Sequence, residues 1–322
     1  TADTVRLNYN ESPYGPSDAA REAMQRGVGS SGRYPYEHMY ALAGMFARQQ
    51  GIAEEQVAVF AGSMAALRYA VVAFTSASRG LVMATPCYEV PRQAAESWAA
   101  PVREVSLDTH HAHDVPAMLA ADPQAGMLYL CNPNNPTGTV TPTDAIRQAL
   151  ANKPQGSVLV VDEAYIDFSD AQSCVSWVKD HDDLLVLRTF SKIYGMAGAR
   201  LGLAIGNPAL LERLAVFGGD NVPAASTLLG ARASLEDPKL LAQRKALNTQ
   251  LRDESVAWLK GRGFTCTASQ SNCFMIDVKQ PAQQVIDTLA AHGVLVGRVW
   301  KDWPQWVRVT VGSKQEMARF RE

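Results

Sequence analysis

Three short segments of the chain combine amide, carboxyl and amine side chains directly after apolar stretches. Residues 132–138 form a proline-braced, asparagine-rich segment, and Asp162 closes the apolar run at residues 158–161. Lys192 ends the third segment, residues 189–192. A buried carboxylate such as Asp162 needs a cation or several donors, because an unpaired buried charge is costly. Each segment alone is typical of an ordinary turn, but together and in this order they indicate a site for a polar ligand.

Short apolar strands that alternate with amphipathic helices must position these segments. Strands are predicted at residues 57–60, 80–84, 102–106, 127–130, 157–162, 184–188 and 201–205. Helices are predicted between most of them, at residues 64–75, 88–98, 115–121 and 143–151. This alternation predicts a mainly parallel sheet covered on both faces. Ligands bind beyond the carboxyl ends of such strands, which is where the three segments lie.

The pattern changes after residue 208 and indicates a second, smaller lobe. A long charged amphipathic stretch at residues 238–261 is followed by short predicted strands at residues 273–278, 294–296 and 306–311. The chain has 322 residues, 47% of them hydrophobic, which is enough for one large core and a smaller second one. We therefore expect an α+β lobe that packs against the sheet-containing lobe.

The composition argues against nucleic-acid and membrane partners. Lys and Arg total 30 against 32 Asp and Glu, giving a net charge of -2, so no excess of positive charge is available for a phosphate backbone. No apolar run approaches the roughly 18 residues that a membrane-spanning helix needs. We expect a cytoplasmic protein; a leader removed ahead of Thr1 would instead indicate export.

Neither the cysteines nor the histidines indicate a metal site. The five cysteines are scattered and form no Cys-x-x-Cys pair, which favours reduced thiols over a disulfide framework or a zinc site. His110, His111 and His113 lie between a predicted strand and a predicted helix, and we interpret them as part of a solvated loop.

The ordered motifs resemble pyridoxal-phosphate (PLP) enzymes of fold type I, and within them the class I and II aminotransferases, closest to the histidinol-phosphate aminotransferases. The resemblance covers almost the whole chain, through residues 7–17, 33–35, the three segments above and residues 307–312. It implies an α/β aspartate-aminotransferase-like fold, with a mainly parallel seven-stranded sheet in a large domain and a smaller α+β C-terminal domain. The expected divisions are an N-terminal segment that joins the small domain (1–30), the large PLP-binding domain (31–212) and the small domain (213–322).

The resemblance implies a role toward the cofactor for each motif residue. Lys192 would carry PLP as a Schiff base and move the proton between substrate and cofactor. Asp162 would keep the pyridine nitrogen protonated. Asn135 and Tyr165 would bind the cofactor's 3′-oxygen, and Tyr88 would stack on the ring, with a core aromatic as the alternative for Tyr88.

The cofactor phosphate would bind at the start of a helix. Ser63 and Met64 would donate backbone N–H groups there. Thr189, Ser191 and Arg200 would add two hydroxyls and a guanidinium. The two residues after Ser63 are apolar where the family usually has polar and acidic ones, so backbone donation is what the resemblance implies at this turn.

The resemblance also implies substrate-binding residues. Arg308 would bind the substrate α-carboxylate through its guanidinium fork. Arg298 aligns with a second arginine, which contacts the phosphate in histidinol-phosphate enzymes; a surface salt bridge is the alternative. Asn10, Ser12 and Tyr14 belong to an N-terminal motif that lines the family's substrate pocket, and simple turn structure is the alternative for Ser12 and Tyr14.

Tyr34 resembles the tyrosine that reaches the cofactor phosphate of the neighbouring subunit, which implies a homodimer; an ordinary turn aromatic is the alternative. The implied activity is transfer of an amino group between an amino acid, or an amine like histidinol phosphate, and a 2-oxo acid in two half-reactions. Two alternatives share the cofactor site: a PLP-dependent decarboxylase resembling threonine-phosphate decarboxylase, and a non-catalytic PLP-binding protein. A nicotinamide dehydrogenase is set aside because no Gly-x-Gly-x-x-Gly turn follows the first predicted sheet strand.

Overall fold

The computed structural model describes residues 4–218 and 221–322. Its strands are β1 (Val5–Leu7), β2 (Val57–Phe60), β3 (Leu81–Thr85), β4 (Val102–Ser106), β5 (Met127–Cys131), β6 (Val158–Asp162), β7 (Leu184–Thr189), β8 (Gly202–Gly206), β9 (Thr265–Cys266), β10 (Cys273–Asp277), β11 (Val294–Val296) and β12 (Trp306–Thr310). Its α-helices are α1 (Asp18–Val28), α2 (Tyr36–Gln50), α3 (Ser63–Phe74), α4 (Val90–Ser97), α5 (Val115–Ala121), α6 (Thr143–Asn152), α7 (Pro208–Gly218), α8 (Ala225–Glu236), α9 (Leu240–Lys260), α10 (Ala282–Ala291) and α11 (Lys314–Arg321).

A seven-stranded sheet forms the centre of the large lobe, in the order β2-β8-β7-β6-β5-β3-β4. Its strands are parallel except β8, which runs antiparallel to both neighbours. Every residue of β5, β6 and β7 is buried, because helices cover both faces, and this explains their almost uninterrupted apolar sequences. The prediction of a mainly parallel sheet is confirmed, with each sheet strand within one residue of its predicted bounds.

A second core lies in the small lobe. The antiparallel sheet β12-β10-β9 and the parallel pair β1-β11 enclose it. Leu7 of β1 is buried there together with Phe274 and Val309, so the start of the chain is part of the same core as its last third. The predicted strands at residues 273–278, 294–296 and 306–311 are confirmed. The domain boundaries at residues 30 and 212 stay predictions, and residues 1–3 of the first segment lie outside the described residues.

Local sequence signals fix the ends of the first two helices. The Ser17 hydroxyl accepts a hydrogen bond from the Ala20 N–H at 3.2 Å and caps the start of α1. Gly51 ends α2 with φ +63°, a left-handed conformation that glycine adopts without a Cβ penalty. Both caps agree with the sequence.

Within the described residues, 4–218 and 221–322, no helix has the length and apolar character needed to cross a membrane.

Candidate active site

A cavity of about 420 Å³ opens where the carboxyl ends of the parallel strands face the small lobe. Asp162 and Lys192 reach it from the large lobe, and Arg308 reaches it from β12. The predicted site residues that line the cavity are Asn10, Ser63, Met64, Tyr88, Asn135, Asp162, Tyr165, Thr189, Ser191, Lys192, Arg200, Arg298 and Arg308. Side chains that are far apart in sequence therefore meet around one space large enough for a small-molecule ligand.

Asp162 is the last residue of β6 and is 4% exposed. Tyr129 donates its hydroxyl proton to Asp162 Oδ2 at 2.9 Å, and the Ala164 N–H donates to Oδ1 at 3.1 Å. Burial raises the pKa of this carboxyl to about 6, and these two hydrogen bonds oppose the rise. The carboxylate is thus held by hydrogen-bond donors in a position where a cationic ligand group would stabilise its charge.

Lys192 follows β7 and turns its amine into the cavity. Lys192 Nζ donates to the backbone oxygens of Tyr9 at 3.3 Å and Asn10 at 3.1 Å. Burial, followed by the nearby charge of Arg308, lowers the pKa of the amine to about 8. The amine therefore loses its proton, and becomes nucleophilic, at a lower pH than an ordinary lysine.

The start of α3 and the loop before β8 form an anion-binding corner. A Cβ on Gly62 would lie 2.4 Å from Arg200 Nη2, so the guanidinium packs directly against this glycine. Arg200 Nη1 donates to Ser191 Oγ at 3.3 Å, and the Ser191 N–H donates to Thr189 Oγ1 at 3.1 Å. Backbone N–H groups at a helix start, hydroxyls and a guanidinium are the donor set that binds a phosphate.

Arg308 contributes a partly satisfied guanidinium on the small-lobe side. Its Nη1 donates to Asn135 Oδ1 at 2.9 Å, while its buried Nε has no partner within the described residues. A Cβ on Gly297 would lie 3.0 Å from Arg308 Cβ and 3.2 Å from its Nε. The glycine at residue 297 thus leaves room for this arginine.

The two tyrosines of the site are neutral hydrogen-bonding groups. Burial raises the pKa of Tyr88 to about 12 and that of Tyr165 well above 10. The Tyr165 hydroxyl accepts a hydrogen bond from Asn10 Nδ2 at 3.1 Å. Both phenols therefore keep their protons at physiological pH and can donate them to a ligand.

Asn10 connects both lobes to the site. Its N–H donates to Thr310 Oγ1 at 3.0 Å, and its Oδ1 accepts from the same hydroxyl at 3.0 Å. Its Nδ2 also donates to Cys273 Sγ at 3.2 Å, and its backbone oxygen accepts from Lys192 and from Asn272 Nδ2 at 3.1 Å each. The Asn10 side chain, predicted to bind substrate, thus makes contacts within the protein and holds Tyr165, while its backbone oxygen holds Lys192.

Arg298 lines the mouth of the cavity and is half exposed. Its Nη1 lies 2.7 Å from Glu89 Oε2, across the gap between the lobes. Its guanidinium also lies over the Trp300 ring, 4.9 Å from the centroid. The predicted second arginine is therefore at the site, and it already has an anionic partner.

Three predicted residues lie outside this cavity. Tyr34 is 82% exposed and its ring is 6.1 Å from that of Tyr36. Ser12 Oγ accepts from the Tyr14 N–H at 3.4 Å within a turn, and Tyr14 is 41% exposed beside Arg244. Within one chain, none of the three side chains borders the space that Lys192 enters.

Several lining residues were missed by the sequence reasoning: Tyr9, Glu11, Cys131, Ala164 and Ala197. Tyr9 and Glu11 flank Asn10 within the N-terminal motif, so proximity to a predicted residue was an available signal. Cys131 is the last residue of β5, the position on the next strand that corresponds to Asp162. The other two are Ala164 and Ala197, whose methyl side chains give no chemical reason to predict them as site residues.

The three histidines lie apart from the cavity and differ in environment. His113 is buried, with Nε2 3.0 Å from the Cys131 oxygen. His111 packs edge-on against Trp303 and Trp306, at centroid distances of 4.8 and 5.4 Å. His110 alone is fully exposed, so the interpretation as one solvated loop was wrong for His113. In residues 4–218 and 221–322, no group of three or more His, Cys, Asp or Glu side chains could hold a metal ion.

The chain is similar to named proteins over nearly its full length. The family model described as aminotransferase class I and II matches residues 2–322. A histidinol-phosphate aminotransferase of Halalkalibacterium halodurans is 30% identical over 318 residues, which cover 97% of this chain and 86% of that protein.

Solved structures share the same architecture. A protein of Erwinia carotovora atroseptica, provisionally named a histidinol-phosphate aminotransferase, superposes with a TM-score of 0.95 at 28% identity and covers 99% of this chain and 94% of its own. A histidinol-phosphate aminotransferase of Sinorhizobium meliloti, solved in complex with pyridoxal-5′-phosphate, gives a TM-score of 0.91 at 23% identity, covering 99% of this chain and 89% of that chain. The predicted fold class is confirmed by these likenesses.

Proposed function

Because the chain belongs to the family of class I and II aminotransferases and is a pyridoxal-phosphate-dependent enzyme close to the histidinol-phosphate aminotransferases, we propose that Lys192 carries the cofactor as a Schiff base. The substrates we propose are an amino acid, or an amine like histidinol phosphate, and a 2-oxo acid that accepts the amino group. Transfer proceeds in two half-reactions at the same cavity.

The observation that carries this proposal is a half-buried amine and a buried carboxyl in one cavity, each with a shifted pKa. The pKa of Lys192 is lowered to about 8 and that of Asp162 is raised to about 6, in both cases chiefly by burial. Such shifts concentrate at functional sites, because burial that is costly for stability is retained where it serves chemistry.

The residues of the cavity fit the chemical groups of PLP. Lys192, Arg200 and Arg308 line it against the carboxyls of Glu11 and Asp162, while Arg298 is paired with Glu89, and the remaining positive excess suits a phosphate-bearing ligand. The anion-binding corner has no room for a Cβ at residue 62, so backbone and guanidinium approach one small anion together. The Met64 side chain is 37% exposed, and we propose that residue 64 contributes its backbone N–H alone.

We assign the following roles to the chain's own residues. When bound, the cofactor supplies an electron-withdrawing ring that stabilises negative charge at the substrate Cα. Lys192 Nζ would act as the base that takes the proton from that Cα, and as the acid that returns a proton to it in the second half-reaction. Asp162 holds the ring nitrogen protonated. Arg308 binds the substrate α-carboxylate, and its place in the lining of the cavity supports this assignment.

The family match favours this activity over the two alternatives that share the cofactor site. A decarboxylase would release carbon dioxide from its substrate and leave no amino group on the cofactor. A non-catalytic PLP-binding protein would have no use for a buried base such as Lys192 beside the ligand.

A half-reaction screen tests the proposal. The purified holoenzyme is mixed with single amino acids, or with histidinol phosphate, and the absorbance of the cofactor is followed. We expect at least one donor to convert PLP to pyridoxamine phosphate, and a 2-oxo acid to restore the original spectrum. If neither histidinol phosphate nor any proteinogenic amino acid yields pyridoxamine phosphate, the proposed activity is wrong.

We further propose a homodimer in which Tyr34 reaches the partner's cofactor phosphate. Tyr34 is 82% exposed and Tyr40 is 58% exposed, and both lie near a groove of about 260 Å³ that Tyr36 and Phe60 also line. Exposed aromatic side chains around an apolar groove are typical of a protein interface.

Complementation between two impaired variants tests the dimer. Lys192→Ala and Tyr34→Ala are refolded together, and we expect about a quarter of wild-type activity, because half of the random dimers are mixed and each has one complete site. The matched control is Lys192→Ala with Asp162→Ala, in which each change disables the site of its own subunit, so that neither site of a mixed dimer is complete and no activity should be recovered. Equal recovery in the two mixtures, or none in the first, contradicts the role of Tyr34 in the partner's site.

A further inference from the structure

Glu89 and Arg298 form an ion pair at the mouth of the cavity. Glu89 directly follows Tyr88, which lines the cavity from the large lobe, while Arg298 lines it from the small lobe. Arg298 Nη1 and Glu89 Oε2 are 2.7 Å apart, a distance typical of a charge-assisted hydrogen bond. The Glu89 side chain is only 25% exposed, so solvent screens this contact less than an open surface pair.

The charges around this pair balance one another. Glu89 Oε1 lies 3.4 Å from Arg92 Nη2, and Arg92 Nη1 lies 3.7 Å from Glu104 Oε1. The four side chains carry two positive and two negative charges, so the group as a whole is neutral. Arg298 therefore lies at the far end of the cavity with its positive charge already balanced by a neighbouring carboxylate.

Trp300 packs against both arginines of this side of the cavity. The Trp300 ring is 4% exposed and lies between two guanidiniums, with Arg298 at 4.9 Å and Arg308 at 5.2 Å from its centroid. An arginine whose charge is already balanced by a carboxylate suits an uncharged substrate side chain. A phosphate or carboxylate bound at Arg298 would instead stand close to the Glu89 carboxylate, and like charges that meet in this way repel strongly.

We propose that Glu89 is a specificity-determining residue that acts through Arg298, neutralising it so that the site accepts substrates with uncharged side chains and disfavours anionic ones, phosphorylated amines included. This inference rests on the proposed function, because it assumes that Arg308 binds the α-carboxylate while the substrate side chain points to Arg298. It narrows the substrate class to amino acids whose side chains carry no negative charge.

Binding of a matched pair of ligands tests the inference without turnover. Glutarate and its monoamide, glutaramate, have the same shape but differ by one negative charge at the far end. Their dissociation constants are measured on the holoenzyme by titration of the cofactor spectrum and by calorimetry. We expect the wild-type enzyme to bind glutaramate at least as tightly as glutarate, and Glu89→Gln to shift the affinity ratio toward glutarate by at least about tenfold.

Two control variants separate a local charge effect from other causes. Glu104→Gln removes one negative charge from the same group without touching Arg298, and we expect it to change the ratio by less than about threefold. The double variant Glu89→Gln/Arg298→Gln should lose the increase in affinity for glutarate relative to glutaramate, because the guanidinium that Glu89→Gln leaves unpaired is no longer present. A merely structural role of Glu89 would weaken both ligands together and leave their ratio unchanged.

The inference is overturned if Glu89→Gln leaves the ratio within threefold of wild type, shifts it no more than Glu104→Gln does, or fails to bind glutarate. Failure of the proposed function is a separate outcome, in which no amino donor yields pyridoxamine phosphate. Half-reaction rates with glutamate and glutamine then extend the comparison, with the glutamate-to-glutamine ratio of kcat/KM expected to rise in Glu89→Gln.

Discussion

Replacing Lys192 by alanine is expected to lower kcat by about 10⁴-fold or more, because the change removes both the covalent attachment point and the group that moves the Cα proton. Burial and neighbouring charge lower the pKa of this amine, so it is the group in the cavity best suited to act as nucleophile and base. The measurement is single-turnover conversion of PLP to pyridoxamine phosphate with an amino donor found in the half-reaction screen.

Covalent trapping provides the control for this variant. Borohydride treatment of the wild-type holoenzyme should fix the cofactor to the peptide that contains Lys192, while Lys192→Ala should release all of it on unfolding. Lys239→Ala, which removes an exposed lysine at the start of α9, should retain both activity and trapping. A borohydride-stable adduct in Lys192→Ala would contradict the assignment and with it most of the roles proposed above.

Replacing Asp162 by asparagine is expected to lower kcat by about 10²- to 10³-fold, because it removes one preorganised charge from the reacting centre. The amide has nearly the same shape, so the fold should be retained, as thermal unfolding would show. The measurement is again the first half-reaction, together with the affinity of the cofactor-free protein for PLP.

The pH dependence of PLP affinity isolates the charge of Asp162. Burial raises the pKa of this carboxyl to about 6, so the negative charge that pairs with the ring nitrogen is present above pH 6 and is lost as the pH falls below it. The cofactor phosphate titrates in the same range, so the informative quantity is the difference between wild type and Asp162→Asn. That difference should shrink below pH 6.

Tyr129→Phe is the matched control, because it removes a hydrogen bond from Asp162 Oδ2 but leaves the carboxyl in place. That hydrogen bond lowers the pKa of Asp162, so its loss should move the fall in PLP affinity to higher pH.

If Asp162→Asn binds PLP and turns over like the wild type, Asp162 has no part in activating the ring.

Local patterns were sufficient for the sheet and for the loops that follow its strands. The runs that became β5, β6 and β7 are apolar because both faces of the sheet are covered, and such burial leaves a direct mark on sequence. Once the strands are placed, Asp162 and Lys192 must lie at the same edge, because the strands that precede them are parallel. The position of the cavity follows from that geometry alone.

Contacts between the lobes could not be read from local patterns. Arg308 pairs with Asn135, and Arg298 pairs with Glu89, across sequence separations that no periodicity describes. Asn10 was predicted to bind substrate, yet its side chain is used to connect strands of the small lobe with Tyr165. Such assignments depend on how two cores pack together, which is set by many weak contacts at once.

The hydrogen bonds around Asn10 also bear on the order in which parts of a newly made chain come together. Lys192 leaves the ribosome well before Thr310. The Lys192 amine donates a hydrogen bond to the backbone oxygen of Asn10, and Asn10 is itself hydrogen-bonded to the Thr310 hydroxyl. Because synthesis proceeds from the N-terminus, the large sheet can form while the hydrogen bond between Asn10 and Thr310 is still absent. We therefore expect the contacts that join Lys192, Asn10 and Thr310 to be completed only after β12 has been synthesised and has docked.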